Sequence, residues 1–413
     1  MLRRPVSSAA ADPVQTEPGT SQDRSTRCRP RLALSIPADR YRVHQTAIDS
    51  AVAEVFRSGR FILGEQTVAF EREFAAFLGV DHCVGVGNGT DAIEIALRAC
   101  GIGPGEAVLT VAHTAVATVA AIERTGASVV LVDIDPLTFT MDPESLRATI
   151  AAYQADSGGN GRPRLKAVVP VHLYGCPADL PAIQTIAHEY GLRVIEDCAQ
   201  AHGAMLERRM TGAWGDLAAF SFYPTKNLGA FGDGGAVVTK DAALAEQVGL
   251  LRQYGWKPRR ISSIRGCNSR LDELQAAILR VLLKHLPNEN ARRREVASRY
   301  DVLLAGTQLS LPPTRPSCAP VFHQYVVRTP YRDALRASLE ADGIPTQIHY
   351  PVPVHLQPAY QGRLFLRVSS LPLTEIAARE VLSLPMSPYL TPDQFERIRE
   401  GIRRWLNSNG GPE

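Results

Sequence analysis

Two hydrophobic periods alternate along this chain. Through YRVHQTAIDSAVAEVFRSG and TVAFEREFAAFLGV the apolar residues recur at helical spacing, with Phe70, Phe74, Phe77 and Leu78 on one face. GRFILGEQ, between these segments, reads as a loop. Beyond residue 80 the pattern shortens to seven β-rich runs: HCVGVGN, EAVLTVA, SVVLVDI, KAVVPVHL, RVIEDC, LAAFSF and GAVVTK. Helical segments starting at Thr90, Thr114, Asp142–Pro143 and Asp179–Pro181 separate the first five. Strands that are apolar on both faces and joined by helices imply an α/β fold: a mostly parallel, seven-stranded sheet flanked by helices. Only a short loop joins the last two runs, so one of them is expected to pair antiparallel at an edge. ADSGGNGRP, residues 155–163, reads as a surface loop.

Past Lys240 the helical period dominates, over 242–254 and 271–308. A strand in VFHQYVVRT, a helix over 332–342, the proline-stiffened loop IHYPVPVHLQP and a closing helix in DQFERIREGIRRWL follow. The expected organisation is a large α/β domain over 36–254 and a smaller α+β C-terminal domain over 255–413. Residues 1–35 are rich in Ser, Thr, Pro, Ala and Arg and carry neither period. They cannot bury enough apolar area to offset ordering entropy, and a disordered tail is expected there.

Composition narrows the function classes. With 413 residues, 45% of them hydrophobic, the chain can bury a large core. A net charge of +3, with no basic stripe interleaved with aromatics, argues against a nucleic-acid partner. The seven cysteines (28, 83, 100, 176, 198, 267 and 318) show no CxxC spacing, so neither a metal site nor a disulfide framework is expected. No run approaches the ~18–20 apolar residues of a membrane span. No apolar segment follows the opening MLRRP, so a cytoplasmic protein without a secretory signal is the expectation.

Candidate chemistry gathers at the ends of three predicted strands. Lys226 lies on the loop after LAAFSF, followed by four glycines within residues 229–235. A lysine held at the end of a buried strand is partly desolvated, which lowers its pKa and frees the amine to attack a carbonyl; the plain alternative is a lysine on a polar turn. Gly85, Gly87 and Gly89 precede Thr90 at the first strand's exit, either a phosphate cradle at a helix N-terminus or a tight β-to-α turn. The spacing matches neither GxGxxG nor GxxxxGKS. Asp197 ends the fifth run, as a ligand-facing acid or a helix N-cap, and Ser221 ends the sixth. An anion site, a carboxylate and an amine at one sheet edge are the three requirements of pyridoxal phosphate.

The stretches GRFILGEQTVAFEREFAAFLGV, GNGTDAIEIAL, HTAVATVAAI, VHLYG, EDCAQAHGA, SFYPTKNLGAFGDGGAVVT, NSRLDELQAAIL and IHYPVPVHLQPAY cover most of residues 55–390. Together they resemble the DegT/DnrJ/EryC1/StrS family of sugar aminotransferases. The resemblance implies the fold-type-I aminotransferase architecture and pyridoxal 5'-phosphate as cofactor. It implies that Lys226 bonds the cofactor, Asp197 pairs its pyridine nitrogen and Gln200 lies by its 3-hydroxyl. Gly89, Thr90 and Ser221 would bind its phosphate. It further implies a homodimer, with Asn268 reaching the neighbour's phosphate and Arg270 the amino donor's carboxylate. One departure stands out: relatives often carry an aromatic after the HT pair, stacked on the ring, where this chain has Ala115. His113 or another side chain would then cover the ring.

Relatives with histidine in place of the lysine dehydrate sugars, so Lys226 favours transamination, by resemblance with L-glutamate as donor. GCNSRLDELQAAILRVLLKHL and QIHYPVPVHLQPAY are more similar to enzymes that aminate C-3 of a dTDP-3-keto-6-deoxyhexose than to those acting at C-4, on dTDP- or UDP-4-keto sugars. Arg252, Lys257, Arg259 and Arg260 are available to a diphosphate, or form a solvated face. Tyr350 and His355 are candidate sugar contacts, or plain surface-loop residues. A non-catalytic regulator that kept the cofactor pocket is the alternative from a different class. A desulfurase would need a cysteine on a mobile loop, whereas Cys198 reads as a packed small hydrophobe.

Overall fold

The computed structural model describes residues 32, 37–155, 162–258, 260–313, 315, 317–366 and 370–408. The expected tail over 1–35, Leu32 apart, and most of the loop at 155–163 lie outside the described residues. Leu32–Glu413 forms one compact unit.

The two N-terminal amphipathic segments are helices, α1 (Pro37–Ser58) and α2 (Glu65–Leu78), joined by the loop read from GRFILGEQ. The seven runs form β1 (His82–Val86), β2 (Glu106–Val111), β3 (Ser128–Val132), β4 (Arg164–Val168), β5 (Arg193–Asp197), β6 (Leu217–Ser221) and β7 (Gly235–Thr239). Helices α3 (Gly89–Ala99), α4 (Val116–Arg124), α5 (Pro143–Ala155) and α6 (Leu180–Glu189) separate the first five, and α7 (Ala242–Leu251) follows β7. α3 begins one residue before the expected Thr90, because Asn88 Oδ1 accepts the Asp91 N–H at 2.8 Å and caps the helix.

The C-terminal segment supplies α8 (Glu273–Leu283), α9 (Leu286–Leu304), β8 (Tyr325–Arg328), α10 (Arg332–Ala341), β9 (Phe365–Leu366), α11 (Pro372–Glu380), β10 (Val381–Leu384) and α12 (Pro392–Ser408). β8 and β10 pair antiparallel, Tyr325 opposite Leu384. A buried apolar cluster including Tyr300, Leu335, Ile398 and Trp405 packs on that pair.

The central sheet runs β1-β7-β6-β5-β4-β2-β3-β9. It has eight strands where seven were expected, because β9 joins parallel to β3, Phe365 opposite Val130. β7 is antiparallel to both neighbours, and the other strands run one way. The expected antiparallel pairing of the last two runs is present, but not at an edge. β7 sits inside the sheet because β1 pairs with its free side, Val86 opposite Gly235. A single short loop can reverse the chain only into an adjacent slot, and that slot lies between β6 and β1.

Three apolar layers pin this sheet. α3 and α4 cover one face with Ile95, Leu97 and Ile122, and α5 and α6 cover the other with Leu146, Ile150 and Ile183. At the β1–β7–β6 end, Phe70 and Phe74 of α2 meet Phe220 and Phe222 edge-to-face, with centroids 5.0–5.4 Å apart. Burying each such ring contributes about 1.5–3 kcal/mol. Winding reverses between β2 and β4, leaving a crevice at the strands' C-terminal ends.

Candidate active site

That crevice holds a cavity of about 430 Å³ lined by Asn88, Gly89, Thr90, Thr114, Ala115, Thr118, Val171, Asp197, Gln200, Ser221 and Lys226, among others. Each arrives from the end of a strand: β1 delivers Gly89 and Thr90, β2 Thr114 and Ala115, β4 Val171, β5 Asp197 and β6 Ser221. The parallel sheet therefore brings together residues far apart in the chain.

Gly89 opens α3 directly against β6. A Cβ placed there would lie 2.6 Å from Ser221 Cβ and 3.2 Å from its Cα, so only glycine permits the approach. Gly235 serves the same corner, since its Cβ would sit 2.4 Å from the Asn88 carbonyl. The Gly89 and Thr90 N–H groups that open α3, the Thr90 and Ser221 residues and the helix dipole make one cradle suited to a phosphate.

Asp197 is buried, and Thr118 Oγ1 donates to its Oδ2 at 2.8 Å. Thr118 in turn is 2.9 Å from the Oγ1 of Thr114, four residues earlier and just before α4. The Asp197 backbone is held from behind by Glu196 and His172. Glu196 accepts the N–H groups of Gly212, Trp214 and Gly215 at 2.8 Å each and lies 3.0 Å from His172 Nε2. Burial alone would raise the Glu196 carboxyl, but His172 and these N–H groups outweigh it and hold it below its ordinary value. Cys198 lies close by, yet both carboxylate oxygens and both ring nitrogens are already bonded, the His172 Nδ1 by the Ala178 N–H at 3.0 Å. The cluster is a strut for the end of β5.

Lys226 follows a turn in which its own N–H reaches the Tyr223 carbonyl at 2.8 Å. Burial lowers its amine from the ordinary 10.5 to about 8, against a smaller upward pull from Asp197. Around it lie imidazoles that burial keeps neutral. His202 is lowered to about 3, His349 to about 4, and His323 is also pushed down.

Gln200 is fixed at both ends, its Oε1 accepting the Tyr174 N–H at 2.7 Å and its Nε2 donating to the Tyr350 hydroxyl at 3.2 Å. Tyr350 thus adjoins the cavity through Gln200, and burial pushes its hydroxyl up to about 12. His355 is buried against Glu375, 3.3 Å away, and is not in the described lining. Asn268 is exposed and Arg270 half-buried, and this chain's own cavity gathers neither. Arg252 donates to Glu71 and to the Gly85 carbonyl, Lys257 pairs with Glu246, and Arg259 lies outside the described residues.

Ala115 lines the cavity with Ala117 and Val171, and Tyr223 is the aromatic ring among the described lining residues. His113 turns away, its Nε2 2.8 Å from the Tyr174 hydroxyl. Sequence reasoning missed Thr114, Thr118, Tyr174 and Arg124, which also lines the cavity and pairs with Asp91 and Glu94. The i, i+4 spacing of the two threonines was the available signal.

The residues present fit pyridoxal 5'-phosphate. A cradle that a Cβ would fill would meet its phosphate, a buried carboxylate its ring nitrogen, and a lysine with a lowered pKa its aldehyde.

The model of the DegT/DnrJ/EryC1/StrS aminotransferase family matches residues 43–403. A dTDP-3-amino-3,4,6-trideoxy-alpha-D-glucose transaminase of Streptomyces venezuelae is 48% identical over 358 residues, covering 86% of this chain and 91% of that protein. A dTDP-3-amino-3,6-dideoxy-alpha-D-galactopyranose transaminase of Aneurinibacillus thermoaerophilus is 42% identical over 362 residues, covering 88% and 96%. The X-ray structure of S. venezuelae DesV in complex with a ketimine intermediate superposes with a TM-score of 0.86 at 46% identity, covering 91% of this chain and 98% of that one.

Proposed function

We propose, for a chain that belongs to the DegT/DnrJ/EryC1/StrS aminotransferase family, that it transfers the amino group of L-glutamate to C-3 of a dTDP-3-keto-6-deoxyhexose. The products are the 3-amino sugar nucleotide and 2-oxoglutarate. The chain is a pyridoxal-phosphate-dependent aminotransferase with the fold-type-I architecture, and several of its relatives are named as nucleotide-sugar aminotransferases. The observation that carries the site assignment is the convergence of Lys226, Asp197 and the Gly89–Ser221 cradle on one cavity. The choice of C-3 is supported by two relatives named for 3-amino products.

The cofactor, when bound, supplies an electron sink for the donor's α-carbon and carries the amino group between the two half-reactions. The Asp197 carboxylate, braced by Thr118, would pair with the ring nitrogen and favour its protonated form. Lys226 Nζ would take the proton from the donor's α-carbon and deliver it to the carbon that had carried the cofactor's aldehyde. A pKa of about 8 leaves the amine able to do both near neutral pH. Ala115, Ala117 and Val171 would exclude water from the ring's surroundings. Gln200, locked between Tyr174 and Tyr350, would present its amide to the 3-hydroxyl.

We assign Asn268 and Arg270 to the active site of a second copy of this chain. Their position outside their own cavity agrees with that reading. His355, buried on Glu375, would support the loop that carries Tyr350. We also propose the boundary of the smaller C-terminal domain near residue 255. Incubation with glutamate and either the dTDP-3-keto or the dTDP-4-keto sugar tests the reaction. Amino sugar is expected from the 3-keto substrate, and product from the 4-keto sugar alone would overturn the assignment.

A further inference from the structure

The loop from Pro224 to Gly229 passes through the protein without a regular strand or helix to satisfy its carbonyls. Such groups need donors, since each one buried and unpaired is destabilising. One side chain supplies them. Arg40, in the first turn of α1 and 5% exposed, directs its guanidinium at four main-chain oxygens. Its Nη2 donates to Asn227 O at 2.9 Å and to Lys226 O at 3.1 Å, and its Nη1 reaches Gly229 O at 3.4 Å and Pro224 O at 3.5 Å.

The α1 helix breaks at His44, where φ is −114° and ψ 15°, so the first turns run off the axis of the rest. His44 is fixed at that kink by Glu289, 3.3 Å from its Nε2, and by stacking on His285 with centroids 4.1 Å apart. Glu289 also lies 3.7 Å from Arg40 Nη2 and accepts the Tyr389 hydroxyl. One carboxylate thus fixes both the kink and the guanidinium. The loop is held on its far side by Asn227 Nδ2, which donates to Asn290 Oδ1 at 2.9 Å and Val321 O at 3.0 Å.

We propose that Arg40 is a positioning residue: its guanidinium sets the main-chain conformation from which Lys226 presents its amine to the cavity. This rests on Lys226 being the reactive lysine. The charge that acts on the Lys226 amine is that of Asp197, with the neutral His202, His323 and His349 around it. Arg40 therefore works through the carbonyl of Lys226 and its neighbours. The planar fork matters, because a lysine ammonium cannot span four carbonyls laid out along a loop.

The test compares holoenzymes of the full chain carrying Arg40→Gln or Arg40→Lys with the parent. Amide hydrogen exchange over residues 223–230 is expected to quicken by about tenfold or more in Arg40→Gln, with Arg40→Lys in between. The pH midpoint of the visible absorbance of the lysine-bound cofactor is expected to move. kcat is expected to fall while KM for the sugar nucleotide stays within about twofold. Local exchange and pH midpoint equal to the parent's in both variants would overturn the proposal. So would exchange that rises equally along α1 and α9 with the midpoint unmoved, since that marks a purely structural residue. If Arg40→Gln does not fold, the same two readouts on Arg40→Lys decide. A Lys226→Ala control that kept its turnover would refute the lysine assignment, and the exchange data would still judge the contact.

Discussion

Replacing Lys226 by methionine should make the cofactor-free protein more stable at neutral pH. The amine is drawn from the ordinary 10.5 to about 8 by burial, with Asp197 opposing. At about 1.4 kcal/mol per pKa unit, holding the charged form in the fold is unfavourable by about 3 kcal/mol. Water in the open cavity screens part of this, so about 2–3 kcal/mol is the expected gain. The sign follows from proton counting. Between pH 8 and 10.5 the unfolded chain holds a proton on Lys226 that the folded chain has released, so the parent's stability rises with pH across that window. Below pH 8 both states are protonated and the full penalty stands. Methionine keeps the stem's length and apolar contacts but removes the charge. Urea unfolding of both cofactor-free proteins from pH 6.5 to 10.5 measures the difference. The advantage of Lys226→Met should be greatest at the acid end and shrink steadily above pH 8. A variant less stable than the parent at neutral pH, or a difference flat across the range, would refute the desolvation argument. If Lys226 is the reactive lysine, a group that destabilises its own fold is the expected trade of stability for activity.

Gly89→Ala should weaken cofactor binding by about tenfold or more, because its Cβ meets Ser221 at 2.6 Å and α3 must retreat from the cradle. Titration with pyridoxal phosphate followed by visible absorbance reads this, and unchanged affinity would remove the cradle from the site. Mixing inactive Lys226→Ala and Arg270→Ala chains should restore activity. If Arg270 serves the neighbouring copy, each mixed dimer keeps one intact site, and an equal mixture recovers about a quarter of parental turnover. No recovery would place Arg270 at its own chain's site.

Much of this architecture was legible in the chain. Alternating apolar runs and helical periods are local signals, so β1 to β7 and the helices between them could be read without any contact. The same reading put Lys226, Asp197 and the Gly89 turn at strand ends, and a parallel sheet gathers strand ends at one rim. β7 shows where local reading stops. Its pattern dictates a strand, but its slot between β6 and β1 depends on pairing with a segment about 150 residues earlier. β9 has two residues and exists only because β3 leaves an edge for it. Ala115 marked a departure that sequence could not resolve, and the structure surrounds it with Ala117 and Val171 while turning His113 away.

What the sequence determined by itself is the set of candidate groups: an amine, an acid and a glycine cradle, each tied to a strand exit by a few neighbouring residues. Only the tertiary structure decided how those groups are held. Thr118 on Asp197, Tyr174 on Gln200 and Arg40 on the Lys226 loop bridge 79, 26 and 186 positions. Nothing in a local window couples such pairs. They meet because the sheet's strand order and the kink in α1 bring their segments together. Once buried there, each polar group must find a partner.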